Sequence, residues 1–134
     1  MNRTYLLDAV ESIAAENGYE FHSADDRYMS QHVASYPAMW LSPPRFSSME
    51  GRNHGKITYS VTLHALDAGA KLAPAERNGA WAHLEHDLVD LFTALSKKSL
   101  VLAVENLAIR AADSTLTTHG EVSATATADV VTFF

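Results

Sequence analysis

The run His83-Leu84-Glu85-His86-Asp87 draws attention first, because imidazoles and carboxylates crowded within five positions are the raw material of a metal site. Zinc sites of the HExxH type set two histidines four apart, so that both rings point to one side of a helix with the glutamate as base. Here the histidines stand three apart, and the order matches neither that motif nor its inverted form. His83 with Asp87 and His86 with Asp90 are i, i+4 pairs instead, on the side opposite Trp81 and Leu88. A solvated or subunit-facing helix surface is therefore expected, with no functional metal. His22, His32, His54, His64 and His119 are scattered along the chain and could join a site only through the fold.

Nucleophilic chemistry finds less support. No serine sits in a G-x-S-x-G elbow, and Gly51, Gly55 and Gly69 form no phosphate-cradling pattern. Asp25-Asp26 offers paired carboxylates, but adjacent acids in a polar stretch read more simply as solvated charge, since a working pair needs perturbed surroundings. Trp81 falls in a helical apolar stripe and reads as core. Trp40 sits in an aromatic strand beside Pro43-Pro44, where a core aromatic and an interface anchor look alike. A ligand pocket built on Tyr36, Trp40 and His64 is the enzymatic or small-ligand alternative.

The elements that would carry these residues follow from periodicity. Leu6, Leu7, Val10, Ile13 and Ala14 share one helical face over residues 4–17, with Asn17-Gly18 as the stop. A short strand is expected at 19–22, then a loop or irregular helical turn at 23–35, and an aromatic strand at 36–41 ended by the two prolines. Residues 45–55 are polar and glycine-punctuated and read as a loop. Residues 56–66 alternate Ile57, Tyr59, Val61, Leu63 and Ala65 against Thr58, Ser60, Thr62 and His64, the pattern of a half-buried antiparallel strand.

After a turn at 67–73, Pro74 suits a first helical turn, and Trp81, Leu84, Leu88, Leu91, Phe92 and Leu95 form a stripe running to about residue 96. Residues 100–110 are nearly apolar on both faces, which predicts a central strand. A polar connection at 111–118 precedes a last strand, in which Val122, Ala124, Ala126, Ala128, Val130, Thr132 and Phe134 oppose Glu121, Ser123, Thr125, Thr127 and Asp129. Helix, two or three strands, helix and two strands make one α+β domain over residues 1–134, a mostly antiparallel sheet packed by two helices.

Composition narrows the setting. With 134 residues, 47% hydrophobic and 19% charged, the chain can bury a core without disulfides. It holds no cysteine, so thiol catalysis and Cys-zinc sites are excluded. The first apolar segment is broken by Asp8 and Glu11 and lacks a cleavage site, and a cytoplasmic protein is expected. A formal charge of -6 argues against a nucleic-acid coat. Against that acidic background, residues 43–56 hold Arg45, Arg52 and Lys56 with only Glu50, about +2 locally and about -8 for the remainder. A cationic loop on an acidic body can pair with a neighbouring copy.

The strand 57–64, the helix 81–95 and the closing run from Gly120-Glu121-Val122 to Phe134 together resemble the tail-terminator and tail-completion proteins of long-tailed bacteriophages. The resemblance spans most of the chain as a pattern of elements. It implies a small cytoplasmic α+β protein, later part of the virion tail, that forms a hexameric ring, caps the tail tube and offers a surface to the head connector. Another head-tail connector or a minor tail subunit would share the pattern. No cofactor and no catalytic residue is implied, and the subunit interface is expected at Arg45, Arg52, Lys56 and Trp40.

Overall fold

The computed structural model describes residues 2–69, 72–112 and 115–134. Residues 70–71 of the expected turn and 113–114 of the expected polar connection lie outside that description. The fold is α+β, and the expected class holds. Its elements are α1 (Asn2–Glu16), β1 (Glu20–Ser23), a 3-10 turn (Asp26–Tyr28), α2 (Met29–His32), β2 (Ala38–Leu41), β3 (Arg45–Gly51), β4 (Gly55–Asp67), α3 (Pro74–Ser96), β5 (Val101–Ala111) and β6 (Val122–Phe133).

One six-stranded sheet runs β1-β2-β4-β6-β5, with β3 also paired to β4. β2 takes the C-terminal half of β4 and β3 the N-terminal half, so both occupy the same side of that long strand. Every pairing is antiparallel except β1 with β2. The frame is the pairing of β4 with β6, continuous from Lys56↔Phe133 to Asp67↔Val122. Small residues on β6 let helices approach this frame: Ala124, Ala126 and Ala128 join Tyr59, Val61, Leu63 and Ala65 beneath Leu6, Val10 and Ile13 of α1 and Leu84, Leu88, Leu91 and Leu95 of α3. Both long helices thus lie on one sheet face.

α1 ends where expected, with Gly18 at φ +82 in the left-handed region that its missing Cβ makes accessible. The Pro74 start is also as expected, and the Glu76 carboxylate accepts from the Ala73 N–H at 3.4 Å. Ala73 has no side-chain acceptor to return the bond, so only half a capping box forms. Tyr19 donates its hydroxyl to Asp87 of α3; burial first, and then that carboxylate, push the phenol well above its ordinary pKa.

On the opposite face a smaller core forms from Met29, Val33, Ala38, Trp40 and Leu66, with α2 as its cover. Residues 23–35 are thus an irregular helical cap, and the segment has a structural purpose that its weak periodicity hides.

Three expectations are corrected. Residues 45–51 form a strand, because β4 extends past β2 and its unsatisfied backbone groups accept a partner whatever that partner's side-chain pattern. Every residue of β3 is exposed, so no buried face imposes the alternation that would mark a strand in the sequence.

The second correction is β5, expected at the centre of the sheet. It is an edge strand bonded to β6 alone and largely exposed, because β6 takes the central place. The third is Glu121, expected on the polar face of the last strand. It is buried, and its carboxylate accepts from the backbone N–H groups of Leu116 and Thr117 and from the Thr117 hydroxyl at 2.6 to 2.9 Å. An acid can be buried when several donors converge on it.

Candidate functional site

The cationic segment is the β3-β4 hairpin. Gly51 and Gly55 pair across its end, enclosing Arg52, Asn53 and His54. A Cβ on Gly51 would meet the His54 carbonyl and one on Gly55 the Glu50 carbonyl, so the turn needs glycine at both positions. Gly51 also adopts φ +104. Arg45, Arg52 and Lys56 are all exposed, but they do not form a single cluster. Arg45 sits at the base opposite Ser60 while Arg52 sits in the turn, about 20 Å away along a strand rising roughly 3.3 Å per residue. Lys56 lies 3.9 Å from Glu50 in an open ion pair worth little by itself.

Apolar surface accompanies the charge. Phe46 and Met49 are 59% and 52% exposed, on the side of the hairpin that continues the helix-covered face, and Phe46 meets Tyr59 edge-on at 6.0 Å. Their exposure was not foreseen in the sequence, where one aromatic and one methionine among serines carry no periodicity.

Trp40 does not belong with these residues. It is fully buried in the smaller core, so its assignment to a subunit interface is corrected: an indole that already fills a core has no surface to offer. Its ring stacks on His22 at 5.8 Å and its Nε1–H donates to Asp26 at 3.0 Å.

Tyr36, Trp40 and His64 converge only in part. Trp40 and His64 are register partners on β2 and β4, whereas Tyr36 turns away to the Thr117 hydroxyl at 3.4 Å. Beside the pair lies a groove of about 490 Å³ lined by Asp25, Asp26, Ser42, Arg45, Ser60 and Thr62, with Pro43 and Pro44. Asp25 and Asp26 act differently from one another. The Asp25 carboxylate accepts from the Arg27 N–H and caps the 3-10 turn, while Asp26 accepts from Trp40 and, at 2.7 Å, from the Ser42 hydroxyl.

Ser42, His64 and Asp26 are the types of an acyl-transfer triad, yet their order differs. Ser42 Oγ lies 3.4 Å from His64 Nε2, and Asp26 lies on that same ring edge at 4.0 Å. Behind the ring, His64 Nδ1 meets the Thr125 hydroxyl at 2.7 Å, where a triad would place its carboxylate. With the serine proton directed to Asp26, the consistent assignment has Nε2–H facing Ser42 and the Thr125 hydroxyl donating to Nδ1. Pro43 and Pro44 supply no backbone N–H beside the serine for an oxyanion. Burial lowers the His64 pKa, and the nearby Asp26 charge only partly opposes it, so the ring is neutral near pH 7. The cluster ties the 3-10 turn to β2, β4 and β6.

On α3, His83 pairs with Asp87 at 3.2 Å and His86 with Asp90 at 3.1 Å, on the exposed face as the spacing predicts. Among the described residues no group of three or more His, Asp or Glu side chains is placed to hold a metal ion, and no helix is long and apolar enough to cross a membrane. No family model matches the chain, and no curated protein matches it.

Proposed function

We propose that the chain is a structural protein of a bacteriophage or prophage, a tail terminator whose subunits form a ring, most simply a hexamer, that caps the tail tube and joins it to the head connector. The observation that carries this reading is the fully exposed strand β3 with the turn that joins it to β4, bearing Arg45, Arg52, Phe46 and Met49 on an otherwise acidic domain. The order of helix, strands with a β3-β4 hairpin, helix and two closing strands supports it as a pattern. A ring needs one patch on each subunit to meet a different patch on the next, and a cationic hairpin facing acidic body surface is such a pair. In this reading the protein assembles in the host cytoplasm, takes its place in the virion tail and performs no catalysis.

The test is capping. Light scattering should report a concentration-dependent ring, alone or with purified tail tubes, and electron microscopy should show tube ends closed by added protein. A protein that stays monomeric and leaves tubes open removes the terminator reading. Rings that bind a head connector but no tube would move the chain to the neighbouring class of connector proteins. The groove beside Ser42 and His64 favours a second reading, a domain that binds a small polar ligand between Asp26 and Arg45.

A further inference from the structure

The sheet has two long open edges, β3 and β5. Among the described residues β3 pairs only with β4 and β5 only with β6. Open edges invite pairing, and proteins commonly blunt them with short strands, lysine, proline or bulges. β1, the remaining edge, is only four residues long. β5 is eleven residues long and holds neither lysine nor proline, and its two register shifts, between Val101 and Ala103 and between Glu105 and Ala108, leave residues 103–105 and 108–111 in regular pairing as an edge. Leu102 and Leu107 are 43% and 38% exposed on it. A strand with the composition of a sheet centre thus stands at the rim.

We propose that β5 is completed by the β3 edge of a second copy, so that the sheet of one subunit runs on into the next. This deepens the terminator reading and rests on its self-association. Charge selects β3 as the occupant. Glu105 and Asp129 stand directly opposite each other on the sheet face away from the long helices, and like charges in that position repel. Asp129 has one hydrogen bond from the Asn106 side chain at 2.9 Å, which brings no positive charge. Arg45, opposite Ser60, is on that same open face at the start of β3, with a guanidinium suited to carboxylates.

Pairing β3 with β5 also joins two different edges, which repeats from subunit to subunit and can close a ring. Pairing β5 with a second β5 would make a closed dimer and leave β3, with Phe46 and Met49, in water.

The absence of cysteine makes cross-linking unambiguous. Continuing the sheet sets β5 antiparallel to the incoming β3, so Arg45 beside Glu105 brings Ser48 near Leu102, both exposed. A Ser48→Cys protein and a Leu102→Cys protein would be mixed and treated with a short bifunctional thiol reagent across a range of concentrations, with and without tail tubes. The expected product is the mixed Ser48-to-Leu102 conjugate, in at least several-fold excess over either self-conjugate. A dominant Leu102-to-Leu102 conjugate overturns β3 as the occupant. Rings that form and cap tubes without the mixed conjugate overturn edge pairing and leave the terminator reading standing, whereas a protein that never associates overturns both. In a second measurement, Glu105→Arg should weaken association about tenfold or more, and adding Arg45→Glu to the same chain should restore it. Failure of that rescue, with both variants folded, overturns the charge pairing that selects β3.

Discussion

The Trp40 indole donates its N–H to the Asp26 carboxylate at 3.0 Å, and through this bond a fully buried aromatic on β2 holds down the exposed turn that leads into α2. The same carboxylate takes the Ser42 hydroxyl, so one acid serves two donors. Asp26→Ala should therefore cost about 1–2 kcal/mol, the range for a charge-assisted bond discounted for the acid's partial exposure. Urea unfolding would measure the loss. Asp26→Asn retains an acceptor and should cost less. An Asp26→Ala protein as stable as wild type would show that the turn is held by the apolar contacts of Met29 and Val33 alone.

Leu88 tests the main core. It is fully buried between α3 and the sheet, and Leu88→Asp would place there a carboxylate with no partner. Several kcal/mol of destabilisation are expected, enough to remove most of the roughly 5–15 kcal/mol available to a domain of this kind. Soluble Leu88→Asp protein with an unchanged thermal midpoint would contradict the packing described for α3.

His64 should make stability depend on pH. Its folded pKa is lowered, chiefly by burial, so below about pH 6.5 the unfolded chain binds a proton that the folded chain resists. The contribution of His64 is then fully present above that pH and is lost as the pH falls toward the lowered folded value. His64→Gln should flatten the fall in stability between pH 7 and 5 relative to wild type, the other histidines being common to both. Equal slopes in the two proteins would show that His64 titrates as though exposed.

Charge reversal addresses the hairpin. Arg45→Glu with Arg52→Glu should weaken assembly while leaving the subunit's stability within about 1 kcal/mol of wild type, because both residues are exposed and touch no core. Light scattering at several salt concentrations, paired with thermal melting, separates the two effects. Assembly unchanged by the double reversal would remove the hairpin's cations from the interface.

Much of this fold was legible because its longest elements bury one face. α3 begins at Pro74 and ends at Ser96 as its stripe predicts, and β4 and β6 show the alternation that a helix-covered sheet face requires. Where neither face is buried, the pattern disappears. β3 is invisible as a strand for that reason, since backbone pairing with an overhanging β4 makes it a strand and no side chain has to agree.

The sequence by itself determined the class of fold, the stripe of α3, the alternating faces of β4 and β6, and the concentration of positive charge in residues 43–56, because local periodicity and charge count are properties of the chain alone. The tertiary structure alone decided that Trp40 is core, that Glu121 is buried among donors, that Ser42, His64 and Asp26 meet, and that the apolar β5 lies at an edge. Each of these depends on contacts between residues distant in sequence. Composition permits such contacts, and strand order and register select among them.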